Sequence, residues 1–240
     1  MTVGNPSRCP RCGTLRTAPA ASLDLCPVCL LTTALSMDDG PCPYQVMAPM
    51  SEGARGVTYL AQALRGARGY VALKVHGPRD DTAAVLSRYQ LWKPALATVR
   101  HPSVGQLLDV GLTAEGLLYV ASEYVGGWPL TALGSRAEVE IGERARMAHQ
   151  LIGAMSEAHA AGVAHLKLDA SRVKISTANG PHATILGLGS SLIVDGAEAR
   201  PEPDLLALVG LVRDLGIELP DRRYETAAAI AESVSSSSPS

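Results

Sequence analysis

The hydrophobic pattern of this chain turns from mainly strand-like to mainly helical near Gly127, and that change restricts the folds open to it. Ahead of it, Tyr44 to Met50, Gly56 to Ala63 and Tyr70 to Val75 read as short strands parted by Gly- and Arg-rich turns, which predicts an antiparallel sheet. Asp80 to Val99 has helical spacing, although Pro94 should kink or end it. Val104 to Val110 and Leu117 to Tyr124 return to strand character. Beyond Gly127, Glu138 to Ala161 and Leu205 to Leu215 carry Ala, Met, Leu and Ile at helical spacing. The order predicts an α+β chain of two lobes, a small antiparallel-sheet lobe over about 44–125 and a larger helical lobe over about 126–234. With 47% hydrophobic residues in 240, one substantial core can be buried. Ser235 to Ser240 is low-complexity and reads as a disordered tail.

The first segment, 1–35, is too short for a core of its own and is rich in Cys, Pro and Thr. Cys9-Pro-Arg-Cys12-Gly and Cys26-Pro-Val-Cys29 are two C-x2-C knuckles with thirteen residues between them. Each turn aims two sulfurs at one point, so four thiolates can converge in a tetrahedron, for which zinc is the expected ion. Such a zinc ribbon would supply the folding energy that burial cannot. Two redox-active pairs or plain disulfides are the alternatives, but no βαβ unit surrounds the knuckles. Residues 36–43 are crowded with turn formers and read as a linker, and Cys42 within them as a free thiol.

A formal net charge of -2 gives no general electrostatic reason to expect a nucleic acid partner. Apolar runs such as Ile185 to Val194 are far shorter than the roughly 20 residues of a membrane-spanning helix. The N-terminus lacks a basic-then-apolar leader, so no membrane insertion and a cytoplasmic location are expected.

Three stretches resemble the protein kinase family. Ser51-Glu-Gly53-Ala-Arg-Gly56-Val followed by Val71-Ala-Leu-Lys74 is similar to a glycine-rich loop and its lysine strand. His101-Pro-Ser-Val, Leu107-Leu-Asp-Val-Gly and Leu118-Tyr-Val-Ala-Ser-Glu123-Tyr-Val125 are similar to the strands that lead to the interlobe hinge, with Ser122 as gatekeeper. Ala158-His-Ala-Ala-Gly-Val-Ala-His165-Leu-Lys-Leu-Asp-Ala-Ser-Arg172 is similar to the end of the long helix and the catalytic loop. The resemblance spans most of 44–234 and implies a two-lobed, kinase-like fold. It also implies a nucleotide site at Gly53, Gly56, Lys74, Glu123 and Val125. Cysteine knuckles ahead of such a domain resemble an arrangement in some bacterial Ser/Thr kinases.

Against that pattern the chemistry is degenerate. The position of the catalytic base holds Lys167, the usual lysine is Asp169, the magnesium-binding Asn is Arg172, and the Asp of Asp-Phe-Gly is Gly187. A protonated lysine accepts no proton and an arginine has no lone pair for magnesium. The glutamate expected on the helix after Lys74 falls at or near Trp92, with Gln90 the nearest polar residue, so Lys74 is expected to lack that ion pair or simply to be solvated. Lys174 stands where an apolar floor beneath adenine belongs. Fourteen residues separate Gly189 from Asp204, too few for a full activation segment and substrate platform, and the large lobe is truncated after Leu215.

The packing positions persist. Leu96, Leu107, His165 and Leu188 match the stack that braces the two lobes, and Asp204 matches the aspartate that anchors the catalytic loop. The resemblance therefore implies a pseudokinase that binds another protein in signalling, with Mg2+ not expected. A weak Ser/Thr kinase, with Asp169 as a displaced base, and an ATP-sensing module are the alternatives. For the knuckles, elemental analysis of protein purified without chelator should find about one zinc ion per chain. Its absence from reduced protein would reject the ribbon.

Overall fold

A computed structural model describes residues 42–64, 69–135, 139–178 and 180–237. Residues 42–80 and 110–121 form one compact unit, and residues 81–109 and 122–237 a second.

The first unit is built on a five-stranded sheet in the order β1-β2-β3-β5-β4. β1 (Tyr44–Gly53), β2 (Gly56–Ala63) and β3 (Tyr70–His76) follow one another as antiparallel neighbours, while β4 (Leu107–Leu112) and β5 (Leu118–Glu123) complete the far side. Alternation places Val71, Leu73 and Val75 on one face with Tyr59, Ala61 and Tyr119, and leaves Ala72 and Lys74 on the other. Tyr44 meets Tyr119 edge to face at 5.8 Å. Cys42 is buried in this core, and the Pro43 carbonyl accepts the Leu64 amide. The expected linker therefore ends earlier than Pro43, because the sheet claims its last two residues.

β1 is an edge strand interrupted by register shifts between Val46 and Ala48 and between Pro49 and Ser51. Proline is tolerated there because an edge strand has one unpaired side. The β1–β2 hairpin closes as Gly53 opposite Gly56, around Ala54 and Arg55. Gly56 has φ 132°, and a Cβ on it would stand 2.1 Å from the Val75 carbonyl oxygen. Its glycine is thus demanded by the close passage of β3.

The second unit contains α1 (Thr82–Thr98), a short antiparallel sheet of β6 (Trp128–Pro129), β7 (Val173–Ser176) and β8 (His182–Ile185), and α2 (Ile141–Ala160). It is completed by α3 (Ser190–Val194), α4 (Glu202–Asp214) and α5 (Ala227–Ser237). Glu143 accepts the Glu140 amide at 3.1 Å and so caps the start of α2, whose Met147, Leu151, Ile152 and Met155 are buried. α5 packs on α2 and α4.

Three further expectations differ from the structure. α1 runs through Pro94, which removes one backbone bond but leaves Val85, Tyr89 and Leu96 buried on its inner side. Val104 makes a single bridge to Ile185, and the strand begins at Leu107. The serine-rich end is helical to Ser237, with the Ser235 hydroxyl bonded to the Ala231 carbonyl at 3.0 Å. The β6-β7-β8 sheet is an addition to the sequence reading.

Gly56→Ala should lower the unfolding free energy by more than about 2 kcal/mol in urea titration. Gly53→Ala, with open space around it, should cost under about 1 kcal/mol.

Candidate functional site

The site in the second unit is organised by Asp204, which the first turn of α4 carries into the interior with no exposed surface. Its Oδ2 accepts the His165 amide at 2.7 Å and His159 Nε2 at 3.0 Å, and its Oδ1 accepts the Leu166 amide at 2.6 Å. Three donors offset the desolvation of a buried carboxylate. Among the described residues, Leu166 alone combines a side chain with a positive φ, at 66°. That conformation costs a leucine free energy, and the bond from its amide to Asp204 holds it.

His165 is buried in turn. Burial pushes its imidazole below the ordinary histidine range, against the opposing pull of the Leu186 carbonyl and of Asp204. The ring is therefore neutral near pH 7. Nε2 lies 2.9 Å from the Leu186 carbonyl and must carry the proton, which leaves Nδ1 to accept the Lys167 amide at 3.3 Å.

The loop that follows holds its charges in local pairs. Lys167 Nζ reaches Asp195 Oδ2 at 2.7 Å, just past α3. Asp169 accepts the Ser171 amide at 2.7 Å as well as the Ser171 hydroxyl. Burial would raise the Asp169 carboxyl, but those bonds and nearby Arg172 outweigh it and hold the group below its ordinary value. Arg172 is fixed at both ends of its peptide unit, its amide donating to the Asp169 carbonyl at 2.9 Å and its carbonyl accepting Leu186 at 2.8 Å. A Cβ on Gly187 would lie 3.4 Å from Arg172 Nη1. At positions 167, 172 and 187, then, the chain presents an ammonium, a guanidinium and no side chain, and none offers an oxygen to a metal ion.

The stack expected from sequence holds three buried members, Leu96, His165 and Leu188, with Leu107 half-buried. Leu96 packs where a Cβ on Gly189 would come within 2.6 Å of it. α1 contains no acidic residue, and Trp92 on it is half-buried. Arg88 of the same helix donates to the Ile193 carbonyl at 2.7 Å, at the end of α3. The roles of Arg88 and Asp195 had no sequence signal, since each depends on a partner far along the chain.

Of the residues expected at a nucleotide site, Glu123 donates its amide to the Gln106 carbonyl at 2.8 Å, and Val125 lies beside Gly105. Lys174 Nζ turns to the Gly127 carbonyl at 3.4 Å. In the first unit, Gly53 and Gly56 close a hairpin, and half-buried Lys74 is opposite Thr58. Cys9, Cys12, Cys26 and Cys29 lie outside the described residues. Among the described residues no group of three or more His, Cys, Asp or Glu is placed to hold a metal, and no helix is long and apolar enough to cross a membrane.

A sheet-bearing unit with a lysine on its third strand, and a helical unit whose buried aspartate holds a loop by its amides, are the parts of a protein kinase domain. The chain has that fold. The kinase domain of Mycobacterium tuberculosis PknI, as a double mutant, superposes with a TM-score of 0.61 at 21% identity, over 82% of this chain and 96% of that one. A second structure of the PknI kinase domain gives 0.56 at 24% identity, over 73% and 72%. In sequence the chain is 32% identical over 163 residues to serine/threonine-protein kinase pkn3 of Myxococcus xanthus, covering 66% of this chain and 29% of that protein. It is 27% identical over 169 residues to pkn2 of the same organism, covering 70% and 20%. This chain thus spans less than a third of the length of either relative. No family model matches it.

Asp204→Ala leaves two amides and an imidazole without their acceptor. It should cost about 3–5 kcal/mol of stability, read as a lowered denaturant midpoint.

Proposed function

We propose that this chain is a catalytically inactive kinase-like module, a pseudokinase, which works by binding another protein. The observation that carries the reading is the guanidinium of Arg172 beside Gly187, where a kinase needs two oxygen ligands for magnesium. Lys167, at the position of the base, is already paired with Asp195.

The scaffold supports a role for shape. Asp204, His165, Leu96 and Leu188 are buried and engaged as a working domain would need them. The segment between Gly189 and α4 is short and tied down by Arg88 and Lys167, which leaves little for a peptide substrate to lie on. A protein partner suits these features better than a phosphoacceptor. In the same proposal, the four thiolates of 1–35 hold a structural zinc ion.

The relatives are named as serine/threonine-protein kinases, so transfer to Ser or Thr is the activity to test. A weak kinase would have to use Asp169 as base, yet that carboxyl is held below its ordinary value and occupied by Ser171. Labelled phosphate from Mg-ATP or Mn-ATP should enter neither the chain nor a generic Ser/Thr acceptor above the level of Lys74→Ala. Incorporation that disappears in Lys74→Ala would defeat the proposal.

A further inference from the structure

We infer that Arg172, together with Ser190 and the open flank of Gly187, forms a site for a phosphate-type oxyanion taken without a divalent metal. The inference rests on the inactive reading above and gives the degenerate loop a ligand of its own. A kinase-like loop ordinarily meets phosphate through magnesium. Here a fixed organic cation stands in that place.

The carboxylates around the loop are already engaged. Asp204 takes three donors, Asp195 takes Lys167, and Asp169 takes the amide and hydroxyl of Ser171. Asp169 meets Arg172 through that residue's backbone amide and feels its guanidinium only electrostatically. Among the described residues, the Arg172 guanidinium makes neither a hydrogen bond nor an ion pair. It is half-buried, and its backbone is pinned by Asp169 and Leu186, so it is not a side chain on a loose surface loop.

Next comes the space it faces. The point where a Cβ of Gly187 would stand lies 3.4 Å from Arg172 Nη1 and 3.6 Å from Ser190 Oγ. Beyond the adjoining residues, those are the only atoms within 4 Å of that point among the described residues. An oxygen set slightly closer to both would take one hydrogen bond from each. A guanidinium matches tetrahedral oxyanions with two parallel donors, and such charge-assisted bonds are the strong ones. A divalent cation at the same spot meets a like charge.

The adjacent surface favours the anion over a base. At the position where the kinase resemblance implies an apolar floor for adenine, Lys174 directs a charged chain to the Gly127 carbonyl. The ligand class is therefore the phosphate group, whether inorganic polyphosphate or the phosphate chain of a nucleotide.

Calorimetric titration of the full chain with tripolyphosphate, ATP and AMP, each in EDTA and in excess magnesium, tests this. Tripolyphosphate and ATP should bind about equally in EDTA, AMP more weakly, and excess magnesium should weaken the first two. Arg172→Gln should reduce affinity at least about tenfold, and Arg172→Lys less, because an ammonium lacks the paired donors. If Arg172→Gln melts at a lower temperature than the parent chain, Gly187→Asp replaces it: a carboxylate beside the guanidinium should abolish binding. No heat with tripolyphosphate in EDTA at low millimolar ligand, binding that requires magnesium, binding of ATP alone, or unchanged affinity in the variants would each overturn the inference. Those failures leave the inactive reading standing, because only phosphate incorporation bears on that reading.

Discussion

One buried carboxylate sets the geometry of the loop that carries positions 167 and 172. Asp204 meets the amides of two successive residues from a neighbouring helix, and that contact orients everything downstream. It holds Leu166 in a left-handed conformation and seats His165 against the Leu186 carbonyl. With those two fixed, the next side chain emerges toward Asp195, and Arg172 is carried to Gly187 five residues on. A loop held this firmly keeps its shape whether or not it does chemistry.

The electrostatics separate scaffold from reaction. A divalent ion about 4 Å from a guanidinium, at an effective dielectric of about 20, is opposed by roughly 8 kcal/mol before any ligand charge is counted. That exceeds what a surface ion pair such as Lys167 with Asp195 contributes, which is about 1 kcal/mol or less. Removal of Arg172 alone would relieve the repulsion without restoring an oxygen ligand at 187.

Much of the fold was legible because its signals are local. Alternation in Val71 to Val75 located β3 and the face of Lys74, and the run around Asp204 marked both α4 and its inward aspartate. Pro94 misled, because the cost of one missing amide bond is outweighed by buried Val85, Tyr89 and Leu96, and burial is decided by neighbours distant in sequence. β6 is two residues long, too short for any period to register. Cys42 looked like linker because turn formers surround it, whereas the sheet core claims it. At the site, the residue identities at 167, 172 and 187 marked where the chain departs from the kinase pattern. Their destinations did not, since Asp195 and Arg88 become partners only when α3 has been folded against α1.

That last contact has a mechanical consequence. Arg88 grips the end of α3 from one helix, while Lys167 grips Asp195, the next residue after α3, from the catalytic-like loop. Both grips fall within three residues at the same end of α3, so that end is clamped between α1 and the loop and is not a hinge waiting to be ordered.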